Sequence, residues 1–156
     1  MDPWGTHFPI LAACVARTKG PVLELGCGWY STFMLHLLCS PGKRRLVSLE
    51  ARREWLEKFK DLRTDSHELH RVEDMDRFTL IDEVDWDVAL VDHSPGTRRV
   101  REIERLKKRA RHIVVHDTED PSYGYEKILP RFKYRYDYKR LTPWTSVVSD
   151  FEPFVP

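Results

Sequence analysis

The spacing of apolar residues changes along the chain and divides it into alternating strands and helices. A largely apolar run, Pro21 to Leu25, interrupted only by Glu24, predicts a short buried strand and ends at Gly26 and Gly28. Phe33, Met34, Leu37 and Leu38 then recur at helical spacing and predict a helix reaching residue 39. Before the strand, Trp4, Phe8, Ile10, Leu11 and the stretch Ala12 to Arg17 predict a cap and a helix, closed by Gly20 and Pro21. After the turn Ser40-Pro41-Gly42, residues 44–50 form the second strand, with Leu46, Val47 and Leu49 apolar and Glu50 last. Trp55, Leu56, Phe59 and Leu62 give an amphipathic helix over 52–62, and 67–73 alternates as a third strand.

The second half repeats the pattern. Residues 76–83 form a short helix or loop. Trp86 to Val91 predicts a strand whose Val88, Ala89, Leu90 and Val91 are continuous and apolar, as in a buried parallel strand. Val100, Ile103, Leu106 and Ala110 predict a helix over 97–110 with Arg98, Arg99, Arg101, Arg105, Lys107, Lys108 and Arg109 largely outside the buried stripe. His112 to Val115 is a fifth strand, and 121–130 a loop with a short helix. Period-two alternation over 132–141 and the run 146–151 predict two last strands joined at Pro143-Trp144. Strands alternating with helices imply an α/β fold, here a single Rossmann-like three-layer domain over 1–156. Its sheet is seven-stranded and mostly parallel, with a C-terminal antiparallel hairpin.

Composition narrows the class. The 156 residues are 41% hydrophobic and 33% charged with a net charge of +1, so bulk charge makes no case for a nucleic-acid partner. No apolar run reaches the roughly 20 residues of a transmembrane helix, and no membrane partner is expected. Met1-Asp2-Pro3-Trp4 lacks the layout of a signal peptide, and Cys14, Cys27 and Cys39 lack metal-site spacing. Cys14 and Cys39 read as buried thiols, and a cytoplasmic location is expected.

Chemistry enters at Glu24-Leu25-Gly26-Cys27-Gly28-Trp29-Tyr30-Ser31. A strand, a glycine turn and a helix together bind a nucleotide-like ligand over a sheet edge. Ser31 is a poor match for the last position of a dinucleotide fingerprint, and the Glu24 carboxylate would repel a pyrophosphate while attracting an ammonium or sulfonium. Glu50 lies 26 residues after Glu24, also at a strand end, where two carboxylate oxygens suit a ribose diol. Polar clusters Asp92-His93-Ser94 and His116-Asp117-Thr118 follow the fourth and fifth strands and should meet at one sheet edge.

The acidic-x-Gly-x-Gly stretch resembles the first motif of the class I S-adenosylmethionine-dependent methyltransferases, and Glu50 the second; the resemblance extends from Pro21 to Phe151. It implies that Glu24 binds the methionine ammonium, with Gly26, Cys27, Gly28, Trp29, Tyr30 and Ser31 around the turn. It further implies that Glu50 and Ala51 bind the ribose, Asp74 and Met75 the adenine, and that Asp92, with Thr6 and His7 ahead of the first helix, touches the cofactor. His93, a neutral imidazole near pH 7, is the leading catalytic base, with His116 second and Asp117 orienting it. Residues 92–120 more weakly resemble the bacterial magnesium-dependent sugar and macrolide O-methyltransferases, related to cephalosporin-hydroxylase-like proteins. Asp92, His116 and Asp117 are therefore an optional Mg2+ set, although a histidine replaces an expected oxygen ligand and the expectation without a metal is slightly preferred.

The implied function is methyl transfer from S-adenosylmethionine to oxygen or nitrogen of a small-molecule acceptor, enclosed by this chain or by a second copy in a homodimer. Three alternatives stay open: a non-catalytic domain that binds S-adenosylmethionine or S-adenosylhomocysteine, an RNA methyltransferase using the basic stretches 97–111 and 132–140, and an aminopropyl transferase.

Overall fold

A parallel sheet core leaves strand faces to be covered by the helices that connect the strands. The computed structural model, which describes residues 2–156, has this construction. Seven strands lie in one sheet: β1 (Val22–Leu25), β2 (Leu46–Glu50), β3 (His67–Arg71), β4 (Trp86–Val91), β5 (Ala110–His116), β6 (Tyr134–Tyr138) and β7 (Thr145–Ser149). Their order is β3-β2-β1-β4-β5-β7-β6. The first five are parallel, and β7 runs antiparallel between β5 and β6.

Successive side chains of a strand point to opposite faces, so each strand serves two cores. Val22, Leu46, Val88, Leu90 and Val114 face α1 (Phe8–Ala16) and α2 (Thr32–Cys39), where Leu11, Cys14 and Leu35 pack on them. Leu23, Leu25, Val47, Leu49, Ala89 and Val91 face the other way. They meet Ile81 of α4 (Leu80–Glu83), Ile103 and Leu106 of α5 (Arg99–Leu106), and Tyr125 to Phe132. A small third core joins Cys27, Phe59 and Leu69 beside α3 (Arg53–Leu56).

Three expectations shift. The helix over 52–62 is α3 followed by a 3-10 segment, Glu57–Leu62. The helix over 97–110 is shorter because Gly96–Arg98 forms a 3-10 turn and Ala110 opens β5. On α2 the buried side chains are Thr32, Met34, Leu35 and Cys39, while Phe33, Leu37 and Leu38 remain exposed. All three cysteines are buried and free, as read for Cys14 and Cys39. Among the described residues no helix is long and apolar enough to cross a membrane.

Gly26 couples β1 to β4. Its φ is +94°, and a Cβ there would stand 2.6 Å from the Asp92 carbonyl oxygen. Both the dihedral and the space exclude a side chain. Gly26→Ala should therefore lower unfolding free energy in urea by at least about 2 kcal/mol. Gly42→Ala, with nothing within 4 Å of its Cβ, should stay within about 0.5 kcal/mol of the parent. Equal stability of the two variants would contradict this coupling.

Candidate functional site

The same alternation that builds two cores sorts the polar residues at the carboxyl ends of the strands. Glu24 follows Val22 onto the α1/α2 face, Glu50 follows Leu46, Asp92 follows Leu90, and His116 follows Val114. Two groups of side chains result, one around the glycine turn and one at the ends of β4 and β5.

Around the turn, Glu24 is completely buried. Its Oε1 accepts a 2.9 Å hydrogen bond from Thr32 Oγ1, which in turn accepts from the Gly28 N–H at 2.9 Å. Its Oε2 has no partner. Burial pushes the carboxyl up from 4.5 to about 7; the nearby hydroxyls of Ser31, Ser48 and Thr32 offset part of the rise, and the Asp92 charge adds to it. Glu50, also buried, accepts from the Cys27 N–H at 3.2 Å and from the Arg52 N–H at 2.9 Å. Trp55 Nε1 donates to the Cys27 carbonyl. The turn is therefore held from both sides, by Thr32 at the start of α2 and by Glu50 and Trp55 across β2.

At the ends of β4 and β5, a buried cation joins two carboxylates. Arg99 Nη2 lies 2.9 Å from Asp92 Oδ1, and Nη1 donates to Asp117 Oδ2 at 2.8 Å. Arg99 Nε donates to the His93 carbonyl at 2.8 Å, and the guanidinium lies over the Tyr123 ring. The residue after β5, Asp117, has φ +58°, an uncommon conformation for a non-glycine residue. His116 turns Nδ1 toward Asp92 Oδ1 (3.3 Å) and Asp117 Oδ1 (3.4 Å). Its Nε2 lies 2.8 Å from Thr6 Oγ1, which donates to the Pro143 carbonyl at 2.7 Å. Burial works against charge on His116, but the Asp92 hydrogen bond and the Asp92 and Asp117 charges outweigh it and raise its pKa. His7 packs edge-on against His116 at 4.8 Å between centroids and lies 3.9 Å from Asp92 Oδ2. Burial drives His7 down to about 4, with Asp92 opposing, so it is neutral.

The other predicted site residues are spread over both faces of the sheet. His93 is one residue past Asp92 and falls on the α5 face, where its Nε2 lies 3.2 Å from Glu102 Oε2; its Nδ1 is buried without a partner. Glu102 thus engages Nε2, and the free Nδ1 is enclosed on the α5 side. Thr6 and His7 join the His116 cluster rather than the glycine turn. The N-terminal segment reaches the turn through Gly5, which lies against the Tyr30 ring. Trp29 is half-exposed and stacks on Phe33 at 5.7 Å, while Ser31 is buried beside Gly28. Ala51 is half-buried just beyond Glu50. Asp74 is exposed and caps the Asp76 N–H, but the Met75 side chain turns into the core. Asp92, His116 and Asp117, the optional Mg2+ set, come together at the ends of β4 and β5, with Arg99 paired to one oxygen of each carboxylate. Among the described residues, the group with donor atoms all within 4.8 Å of one another is His7, Asp92 and His116.

Arg99, Glu102 and Trp55 are the site residues that the sequence reading missed. Arg99 stands four residues before Ile103 and seven before Leu106, so the spacing that defines the α5 stripe puts it on the buried side. An arginine on an apolar stripe requires acidic partners, and Asp92 and Asp117 were the available ones.

No protein-family model matches the chain, and no curated protein matches it in sequence. Solved structures do. The O-methyltransferase TomG from Streptomyces achromogenes, in complex with SAM, superposes with a TM-score of 0.71 at 16% identity, covering 92% of this chain and 78% of its own. The O-methyltransferase from Bacillus cereus, in complex with SAH, gives 0.68 at 17% identity over 92% and 79%. The METTL16 methyltransferase domain gives 0.67 at 14% identity over 94% and 67%. With the strand order and the antiparallel last pair, these matches make the fold that of the class I S-adenosylmethionine-dependent methyltransferases.

Proposed function

We propose that this protein is an S-adenosylmethionine-dependent methyltransferase acting at oxygen or nitrogen of a small-molecule acceptor. One observation carries the reading: a carboxylate oxygen of Glu24 is buried without a partner under a glycine turn that Glu50 grips from the other side. A buried acceptor without a donor is costly, and a ligand ammonium would satisfy it. Each Glu50 oxygen holds one backbone N–H and retains acceptor capacity for a ribose hydroxyl. Asp74 is open to solvent, where an adenine amino group could meet it, and Gly26, Cys27, Gly28, Tyr30 and Ser31 line the turn.

When bound, S-adenosylmethionine supplies a methyl group on a positive sulfur, already a good leaving group. The chain must align the acceptor and accept its proton. That work falls to the cluster of Thr6, His7, Asp92 and His116, with Arg99 and Asp117 orienting Asp92 and His116. A cleft of about 410 Å³ has room for a small acceptor; it is lined by Thr118, Glu119, Asp120 and Tyr125 among others, and Tyr125, whose hydroxyl donates to the His116 carbonyl, links it to the cluster. A second cleft of about 550 Å³ lies near the amino ends of β2 and β3, at the opposite edge of the sheet. The basic helix gives little support to an RNA acceptor, because Arg98 and Arg101 pair with Asp76, Arg105 with Asp82 and Arg109 with Asp85.

The test is transfer of a labelled methyl group from S-adenosylmethionine to a panel of hydroxylated and amine-bearing small molecules, beside RNA. Label on a small molecule is expected. Label on RNA alone would overturn the acceptor class, and S-adenosylhomocysteine binding without any transfer would favour a non-catalytic domain. Glu50→Ala should raise the S-adenosylhomocysteine Kd at least about tenfold, the effect of losing one or two charge-assisted hydrogen bonds. An unchanged Kd by equilibrium dialysis would remove Glu50 from the site.

A further inference from the structure

We propose that His7, Asp92 and His116 form a binding site for a first-row transition metal ion, Zn2+ being the representative case, in place of Mg2+. Ion binding itself stands apart from the methyltransferase reading; only a role for the ion toward the acceptor rests on it.

The first observation is His7. Its side chain is about 2% exposed, and neither Nδ1 nor Nε2 has a hydrogen-bond partner. A buried imidazole with both nitrogens unsatisfied is unusual, and a ligated ion would satisfy one of them. The second observation is geometric. His7 Nδ1 is 3.9 Å from Asp92 Oδ2, His116 Nδ1 is 3.3 Å from Asp92 Oδ1, and the three donor atoms lie within 4.8 Å of one another. Ligands about 2.1 Å from a tetrahedral ion stand about 3.4 Å apart, so the widest pair would have to close by at most about 1.4 Å.

The third observation is the outer partner of His116. Its Nε2 faces Thr6 Oγ1 at 2.8 Å, and Thr6 spends its own hydrogen on the Pro143 carbonyl. With the Thr6 hydrogen on the Pro143 carbonyl, the shortest of its contacts, Nε2 takes the donor role, and Nδ1 is the nitrogen aimed at Asp92. Metal-bound histidines are oriented this way, with the distal N–H fixed by an oxygen acceptor.

Donor type selects the ion. Two imidazoles and one carboxylate suit Zn2+, Co2+, Ni2+ or Fe2+, whereas Mg2+ favours an octahedron of oxygens. Charge is consistent with a divalent ion. Asp117 compensates Arg99, so Asp92 with two neutral imidazoles offers one net negative charge. Three protein ligands leave a position open, and an acceptor bearing a hydroxyl or carboxylate oxygen could take it. The donors come from the segment before α1, from the end of β4 and from the end of β5, so the ion would tie the N-terminal segment to the sheet edge.

The test uses the full chain after dialysis against a chelator. Calorimetry with Zn2+ should show one ion per chain with a Kd of about 1 µM or tighter, and Co2+ should develop visible ligand-field bands. Zn2+ at a hundredfold excess over Kd should raise Tm by about 5–10 °C, and millimolar Mg2+ should not. His7→Asn and His116→Asn should each weaken Zn2+ binding at least a hundredfold, whereas His70→Asn should leave it unchanged. Circular dichroism checks that each variant folds, and S-adenosylhomocysteine binding to the metal-free chain reports on the cofactor site separately. Absent Zn2+ binding, binding indifferent to both His7→Asn and His116→Asn, or equal affinity for Mg2+ would overturn the proposal.

Discussion

Arg99→Met should destabilise the protein by about 3 kcal/mol and lower Tm by about 10 °C. The guanidinium is 5% exposed and touches Asp92, Asp117 and the carbonyl of His93 in one fork. Removing it leaves two carboxylates facing each other across a site where each is only about one-fifth exposed. Partial solvation of these carboxylates keeps the loss near the lower end of what a broken buried pair costs. Arg99→Lys should rescue little, because an ammonium cannot present the same set of fixed donors. Arg101→Met is the control: that side chain is mostly exposed, and its pair with Asp76 should contribute less than about 1 kcal/mol. Urea unfolding of the three variants is the measurement. If Arg99→Met cost no more than Arg101→Met, the cluster would not hold the β4 and β5 ends together.

Glu24→Gln should weaken S-adenosylhomocysteine binding by about 10- to 100-fold at pH 8 and remove a pH dependence that the parent shows. In the free protein the carboxyl titrates at about 7, raised first by burial. A ligand ammonium favours the ionised form, so affinity should be full above pH 7. Below that it should fall, approaching tenfold per pH unit. The glutamine variant has no carboxyl to ionise, so its affinity should be flat and meet the parent's near pH 5.5. Stability carries the opposite sign. Between pH 4.5 and 7 the folded chain retains a proton that the unfolded chain has released, so the Glu24 contribution to stability falls as pH rises through that window, by on the order of 3 kcal/mol. Glu24→Gln should lose that slope. Equal affinities of parent and variant at pH 8 would separate Glu24 from the ligand.

The strands were legible because their signals were local. Pro21–Leu25 and Trp86–Val91 are mostly apolar, each with one internal acid, and are bounded by glycine or acid; β1 and β4 fall on them within one residue. The juxtaposition of Asp92 with His116 was also legible, since parallel strands bring their carboxyl ends to one edge. Side-chain face was present in the sequence but needed one further step. Counting by twos from the apolar residues would have placed Asp92 and His116 on the α1 face and His93 on the α5 face, against Glu102. The joining of Thr6 and His7 to that cluster had no local signal, because it depends on how the segment before α1 folds back over β4 and β5. Phe33, Leu37 and Leu38 mark another limit: helical spacing identified α2, while its buried side follows from where Thr32 meets Glu24 and from packing on β1 and β2.

The most direct measurement is calorimetric titration of the parent protein with S-adenosylhomocysteine at pH 8, with and without added metal. One site per chain with micromolar affinity is the expected result, and it should persist in the metal-free protein because no hydrogen bond or ion pair joins Glu24 or Glu50 to His7 or His116. No heat and no Tm shift at millimolar ligand would contradict the account, and would leave the glycine turn and its two glutamates as features of the fold alone.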